Sequence, residues 1–204
     1  MATDPILTPK FRARWINLAE ADDKGKFNIT MLFPKDADLK PLKALVIATI
    51  KDKWGDKYKP AQLNLPLKDG NEKVNSETGE VYAEYVDTTW ATASTKFAVT
   101  VLDATKGKKP IPAAELKAAV YDGCYCIAQV GAYGWEYKDD KTGKVIKRGV
   151  SFQLENLLKY ADGEQIGGGG KRQKAEDAFA DVEADSDDPN NYEDTESGDD
   201  PWDL

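Results

Sequence analysis

Residues 10–18 read Lys10-Phe11-Arg12-Ala13-Arg14-Trp15-Ile16-Asn17-Leu18. The stretch alternates. Phe11, Ala13 and Trp15 fall on one face, and Lys10, Arg12 and Arg14 on the other, the period-two pattern of a strand with one buried side and one basic side. The turn Asp22-Asp23-Lys24-Gly25 follows. Residues 26–33 alternate again, with Phe27, Ile29, Met31 and Phe33 together. The two runs predict a β-hairpin over 10–33.

Pro34 ends that hairpin. Asp36 or Asp38 is placed to cap a helix over 38–54, where Leu39, Leu42, Val46, Ile50 and Trp54 recur at helical spacing. Pro41 fits because it lies in the first turn. Trp54 is expected to close the helix against the core, with base stacking as its functional alternative. Residues 55–79 are rich in Gly, Lys, Pro, Asp and Asn and read as a long loop. A strand is expected over 80–87, two short β stretches over 88–102, and a short helix over 112–120. Strands at 124–133 and 145–157 flank the turn 139–144, and residues 156–160 read as a final turn. The chain therefore predicts a mainly β domain with one long helix inserted among the strands.

Charge is distributed unevenly along the chain. Residues 175–204 contain 13 of the 36 acidic residues and no Lys or Arg, leaving 23 acids against 28 bases in residues 1–174. A basic body with an acidic tail points to a polyanion as partner. The tail is too acidic and too poor in apolar residues to offset chain entropy, so it is expected to be disordered. It closes on Asp199-Asp200-Pro201-Trp202-Asp203-Leu204, an apolar tip among carboxylates that suits a basic-rimmed pocket on a partner. Gly167–Gly170 forms a flexible linker. The division is 1–166 for the domain, 167–174 for a Gly-rich basic linker, and 175–204 for a protein-interaction tail.

The chain has no His, which removes the usual general base and the commonest metal ligand. Cys124 and Cys126 lie two apart and read as small core residues. Gly167-Gly168-Gly169-Gly170-Lys171 is not a P-loop, because Gln165 and Arg172 stand where Gly and Ser or Thr are required. No cofactor and no metal site is expected, and the protein reads as non-enzymatic. Met1-Ala2-Thr3-Asp4-Pro5 carries no basic-then-apolar run, and no apolar stretch is long enough to span a membrane, so a cytoplasmic protein without membrane partners is expected.

Bases and aromatics interleave on the predicted strands. A single-strand binder needs such a set, cations for phosphates and rings for base faces. The candidate DNA-contacting residues are Lys10, Arg12, Arg14, Tyr82, Trp90, Lys96, Tyr125, Tyr133, Trp135, Tyr137, Lys138, Lys147 and Arg148. Tyr133, Trp135 and Tyr137, spaced two apart beside Lys138, form the sharpest cluster.

The segments Tyr121-Asp122-Gly123-Cys124-Tyr125-Cys126, Lys147-Arg148-Gly149-Val150-Ser151-Phe152-Gln153-Leu154-Glu155-Asn156, Asp162-Gly163-Glu164 and Phe27-Asn28-Ile29-Thr30-Met31-Leu32-Phe33-Pro34-Lys35, with Tyr133, resemble a family of phage single-stranded DNA-binding proteins. The resemblance covers roughly residues 8–166. It implies an OB-fold-like barrel that binds single-stranded DNA without sequence preference in phage replication, recombination and repair, inside the host cytoplasm. The tail is similar to those of bacterial and T7-like phage single-strand binders, which implies recruitment of phage or host replication proteins. It departs from them in ending on Leu204, so Trp202 and Leu204 share the anchor role with Asp199, Asp200 and Asp203 around them. The residues leave three points open: self-association into a homo-oligomer, an RNA-binding or chaperone role, and a Mg-dependent nuclease.

Overall fold

The computed structural model describes residues 4–167. The Gly-rich linker beyond Gly167 and the acidic tail lie outside the described residues. In chain order the elements are β1 (Ile6–Leu7), β2 (Phe11–Asn17), β3 (Phe27–Pro34), α1 (Lys40–Trp54), β4 (Lys68–Asp69), β5 (Thr88–Thr95), β6 (Thr100–Asp103), β7 (Lys109–Pro110), α2 (Ala113–Ala119), β8 (Tyr125–Lys138) and β9 (Val145–Ala161).

Five of the strands close on themselves. β2 pairs β3, β3 pairs β5, β5 pairs β9, β9 pairs β8 and β8 returns to β2. All these pairings are antiparallel except β5 with β9. Counting only these five in chain order, the circuit runs 1-2-3-5-4-1, with α2 between the third and fourth: an OB-like fold. The long helix α1 is the insertion, between the second and third strands of that plan.

The alternation seen in sequence sets the interior. Phe11, Ala13, Ile29, Met31, Phe33, Ala91, Ala93, Cys126, Ala128, Val130, Val150, Phe152 and Leu154 are all buried. Phe11 meets Phe33 edge-on at 5.7 Å, and the small Ala91 and Ala93 leave room for such rings. Each large apolar side chain so buried stabilises the fold by about 1.5–3 kcal/mol. Cys124 and Cys126 are free thiols within this core, with sulfurs 3.7 Å apart. The helix α1 buries Leu42, Leu45, Val46 and Ile50 as the spacing predicts. Its N-cap is Leu39, while the Asp38 carboxylate accepts the Lys40 N–H at 3.0 Å. Gly55 ends the helix at φ 61°. No helix among the described residues is long and apolar enough to cross a membrane.

Three sequence expectations change. The expected strand 80–87 is a single bridge from Val81 to Val74 followed by a 3-10 turn, Ala83–Tyr85. Its β-forming side chains find no ladder, because β5 is already paired by β3 on one side and by β4 and β9 on the other. The expected final turn at 156–160 is strand, because β6 pairs in parallel with Asn156–Lys159 and extends β9. The alternation of β2 breaks after Ala13. The register with β3 shifts between Arg14 and Asn17, and Trp15 takes φ 49°. Trp15 is therefore exposed and Arg14 buried, the reverse of the simple pattern.

Candidate nucleic-acid interface

The outward side chains of β8 are its odd-numbered residues, since Cys126, Ala128, Val130 and Ala132 point inward and are buried. Tyr125, Tyr133 and Tyr137 are exposed on that outward face. Bulges fall on β9, opposite Tyr125/Cys126 and Gln129/Val130, so the face of β8 itself does not switch. Eight residues of strand separate Tyr125 from Tyr133, about 27 Å at ~3.4 Å per residue.

The first cluster surrounds Tyr125. Lys10 holds its ammonium 5.5 Å from the Tyr125 ring and 5.4 Å from the ring of Tyr160, which is also exposed. Arg12, opposite Tyr125 in the sheet, donates to the carbonyls of Gly123 at 3.3 Å and Glu164 at 2.7 Å. Carbonyl partners leave its positive charge unneutralised. Lys10, Arg12 and Tyr125 line a groove of about 310 Å³.

The second cluster surrounds Tyr133. It shares a groove of about 280 Å³ with Lys26, Ser94, Thr95, Lys96, Phe97 and Gln153. Lys96 and Tyr133, far apart in sequence, are thus brought together. Phe97 is the most exposed large apolar residue described, at 77%. The sequence reading placed it in a strand, and a β-forming aromatic carries no local signal that its ladder has ended. Outward from Tyr133, Trp135 lies opposite Gly149 and Tyr137 opposite Lys147. Trp135 is half-buried and donates its indole N–H to Ser151 Oγ at 3.0 Å. Lys138 and Lys147 are exposed.

A third cluster lies on β5. Lys68 and Lys73 hold their ammonium groups 5.1 and 5.3 Å from the Trp90 ring. Tyr85 meets that ring edge-on at 5.8 Å, and Tyr82 lies 6.0 Å from Tyr85. Lys68 and Lys73 reach Trp90 from the long loop, where composition alone did not single them out.

Two of the candidate residues stand apart from these clusters. Arg14 is buried and donates to Glu84 at 2.9 Å and to Asp122, so two carboxylates already take its charge. Arg148 points to the α1 side of the hairpin, where it pairs with Glu136 at 3.0 Å and lies 4.7 Å from the Tyr58 ring. Trp54 donates to the same Glu136 carboxylate at 2.9 Å. That indole, and then Arg148, hold the Glu136 carboxyl below the usual carboxylate range. Trp54 therefore closes the helix against the hairpin. Among the described residues no three His, Cys, Asp or Glu side chains converge to hold a metal ion.

The fold has solved relatives. The single-stranded DNA-binding protein from bacteriophage Enc34 is similar at 21% identity, covering 86% of this chain and 90% of its own, with a TM-score of 0.61. The same phage protein in complex with ssDNA gives 21% identity, 80% and 90% coverage, and a TM-score of 0.59. At this identity the likeness establishes the fold. No curated protein matches the chain. The family model described as the ssDNA-binding protein of Enterobacter phage Enc34 matches residues 4–189, nearly the whole chain. By that match the chain belongs to the Enc34 phage single-stranded DNA-binding protein family.

Proposed function

We propose that this protein binds single-stranded DNA without sequence preference. The observation that carries the reading is the pairing of accessible rings with uncommitted cations. Lys10 lies between Tyr125 and Tyr160, and Lys68 and Lys73 lie over Trp90. None of these lysines forms an ion pair among the described residues. A stacked base and its phosphate require such a ring and cation together, and neither requires a particular base. A strand following the outer face of β8 meets the Tyr125 cluster and then the Tyr133 cluster. Lys10, Arg12, Lys68, Lys73, Lys96, Lys138 and Lys147 serve the phosphates; Tyr82, Trp90, Tyr125, Tyr133, Trp135 and Tyr137 serve the bases. Arg14 and Arg148 contribute by holding structure around the site.

The family and the acidic tail support a role in phage DNA replication, recombination and repair. In this reading residues 175–204 recruit replication proteins through Trp202 and Leu204. Their 13 carboxylates also compete with DNA for the basic face. Fluorescence quenching by oligo-dT, for the full chain and for residues 1–174 at two salt concentrations, tests both parts. Binding that weakens steeply with salt and tightens on tail deletion is expected. Equal affinity of the two chains at low salt removes the competition. No quenching at low salt for either chain removes DNA binding itself. Replacing Trp202 and Leu204 by Ala is expected to abolish partner capture and leave oligo-dT affinity intact.

A further inference from the structure

Trp15 is the most tightly specified exposed aromatic in the described chain. Its backbone sits at φ 49°, a conformation that bulky side chains rarely adopt. Its indole N–H is donated to the Tyr85 hydroxyl at 3.1 Å. The Arg14 guanidinium covers one ring face at 4.0 Å from the centroid. Arg14 is in turn fixed by Glu84 and Asp122, and Tyr85 is almost wholly buried. Burial raises the Tyr85 phenol above its ordinary value, and its oxygen accepts the indole N–H. With one face and the polar edge of its ring occupied, Trp15 is still 48% exposed. A ring so placed offers its remaining face to solvent.

A strained backbone that presents, rather than hides, a large apolar ring contributes nothing to the core. We infer that Trp15 is a preformed base-stacking platform, with Arg14 and Tyr85 as positioning residues. The inference rests on the DNA-binding reading above and adds a site to it. Arg12, three residues back along β2, supplies a cation for the phosphate of the stacked nucleotide. A ring already held in one orientation loses little entropy when a base covers it, so stacking there is not offset by ordering.

The test uses the full chain labelled with fluorotryptophan, whose five indoles give five ¹⁹F signals. The signal lost in Trp15→Phe identifies Trp15. On saturation with oligo-dT that signal is expected to shift. Trp15→Leu is expected to weaken oligo-dT binding by about 5- to 150-fold, the range for losing one stacked base. Tyr85→Phe, which removes the acceptor but keeps the ring, is expected to broaden the Trp15 signal and weaken binding by less. An unmoved Trp15 signal at saturation overturns the inference. So does wild-type affinity in a Trp15→Leu protein that melts like the parent; should that variant not fold, the ¹⁹F shift alone decides. In either of these overturning results the parent still binds oligo-dT, so the general reading survives. A parent that binds no oligo-dT takes both away.

Discussion

At the scale of single residues, Trp54 and Tyr133 show how similar rings take different work. Trp54 gives its N–H to Glu136 and packs over Gly134, whereas Tyr133 stands exposed in a groove with Lys96. Trp54→Ala should therefore lower stability by about 2–4 kcal/mol with little change in oligo-dT affinity. Tyr133→Ala should do the reverse, costing about 1–3 kcal/mol of binding with a near-parental melt. Parallel urea denaturation and oligo-dT titration of the two variants separate the roles, and matching effects on both would contradict the assignment. Gly134 makes the Trp54 contact possible. A Cβ there would stand 2.9 Å from the Trp54 ring and 2.6 Å from Lys53 Cδ. The lysine can move aside, but the ring is hydrogen-bonded, so Gly134→Ala should destabilise by about 1–3 kcal/mol. A melt unchanged from the parent would show that α1 is free to shift.

At the scale of elements, β6 joins β9 by parallel backbone pairing, and one carboxylate fixes the turn that ends β6. Asp103, at the end of β6, is buried and accepts from the Thr105 hydroxyl at 2.6 Å and the Thr105 N–H at 2.9 Å. The Thr105 hydroxyl is the main influence holding its carboxyl below the usual aspartate range, against the effect of burial. A carboxyl with a depressed folded pKa stabilises the protein above the unfolded value, about 3.9 for Asp. That contribution is lost as pH falls through the lower folded value. Asp103→Asn should cost about 1–3 kcal/mol at pH 7. The gap between variant and parent should hold down to about pH 5 and narrow below about pH 4. Urea midpoints over that range measure it, and a gap that widened in acid would mean the carboxylate is not the stabilising form. The same join explains why β9 runs past the turn expected at 156–160. Its extra residues are paired by β6, a strand more than fifty positions earlier in sequence.

At the scale of the whole molecule, binding depends on how many cations the folded surface leaves uncommitted. Every phosphate neutralised on a single strand adds about 0.7 to the slope of log affinity against log salt. Lys10→Ala, Arg12→Ala and Lys68→Ala should each reduce that slope by about 0.7, while Arg148→Ala, whose charge is paired with Glu136, should leave it unchanged. Titrations at four salt concentrations read the slope directly. An Arg148→Ala effect as large as that of Lys10→Ala would show that the Glu136 pair opens for DNA.

The hairpin at 10–33, the helix ending at Trp54, the inserted position of that helix and the inward thiols were legible from local pattern alone. Side-chain period and turn residues act between near neighbours, and the core obeys them. The excess of bases in the body was equally legible, because charge is a count. Which bases remain uncommitted was not. Arg12 and Arg14 look alike on one strand, yet Arg14 meets Glu84 and Asp122, residues 70 and 108 positions away, while among the described residues Arg12 donates to carbonyls. Trp15 read as a core residue until a register shift turned it outward. Lys68 and Lys73 became neighbours of Trp90 only when a loop of no evident pattern folded over β5. Local sequence sets which face of a strand a side chain takes; the closure of the barrel and the loops laid across it determine which rings and charges remain open to a ligand.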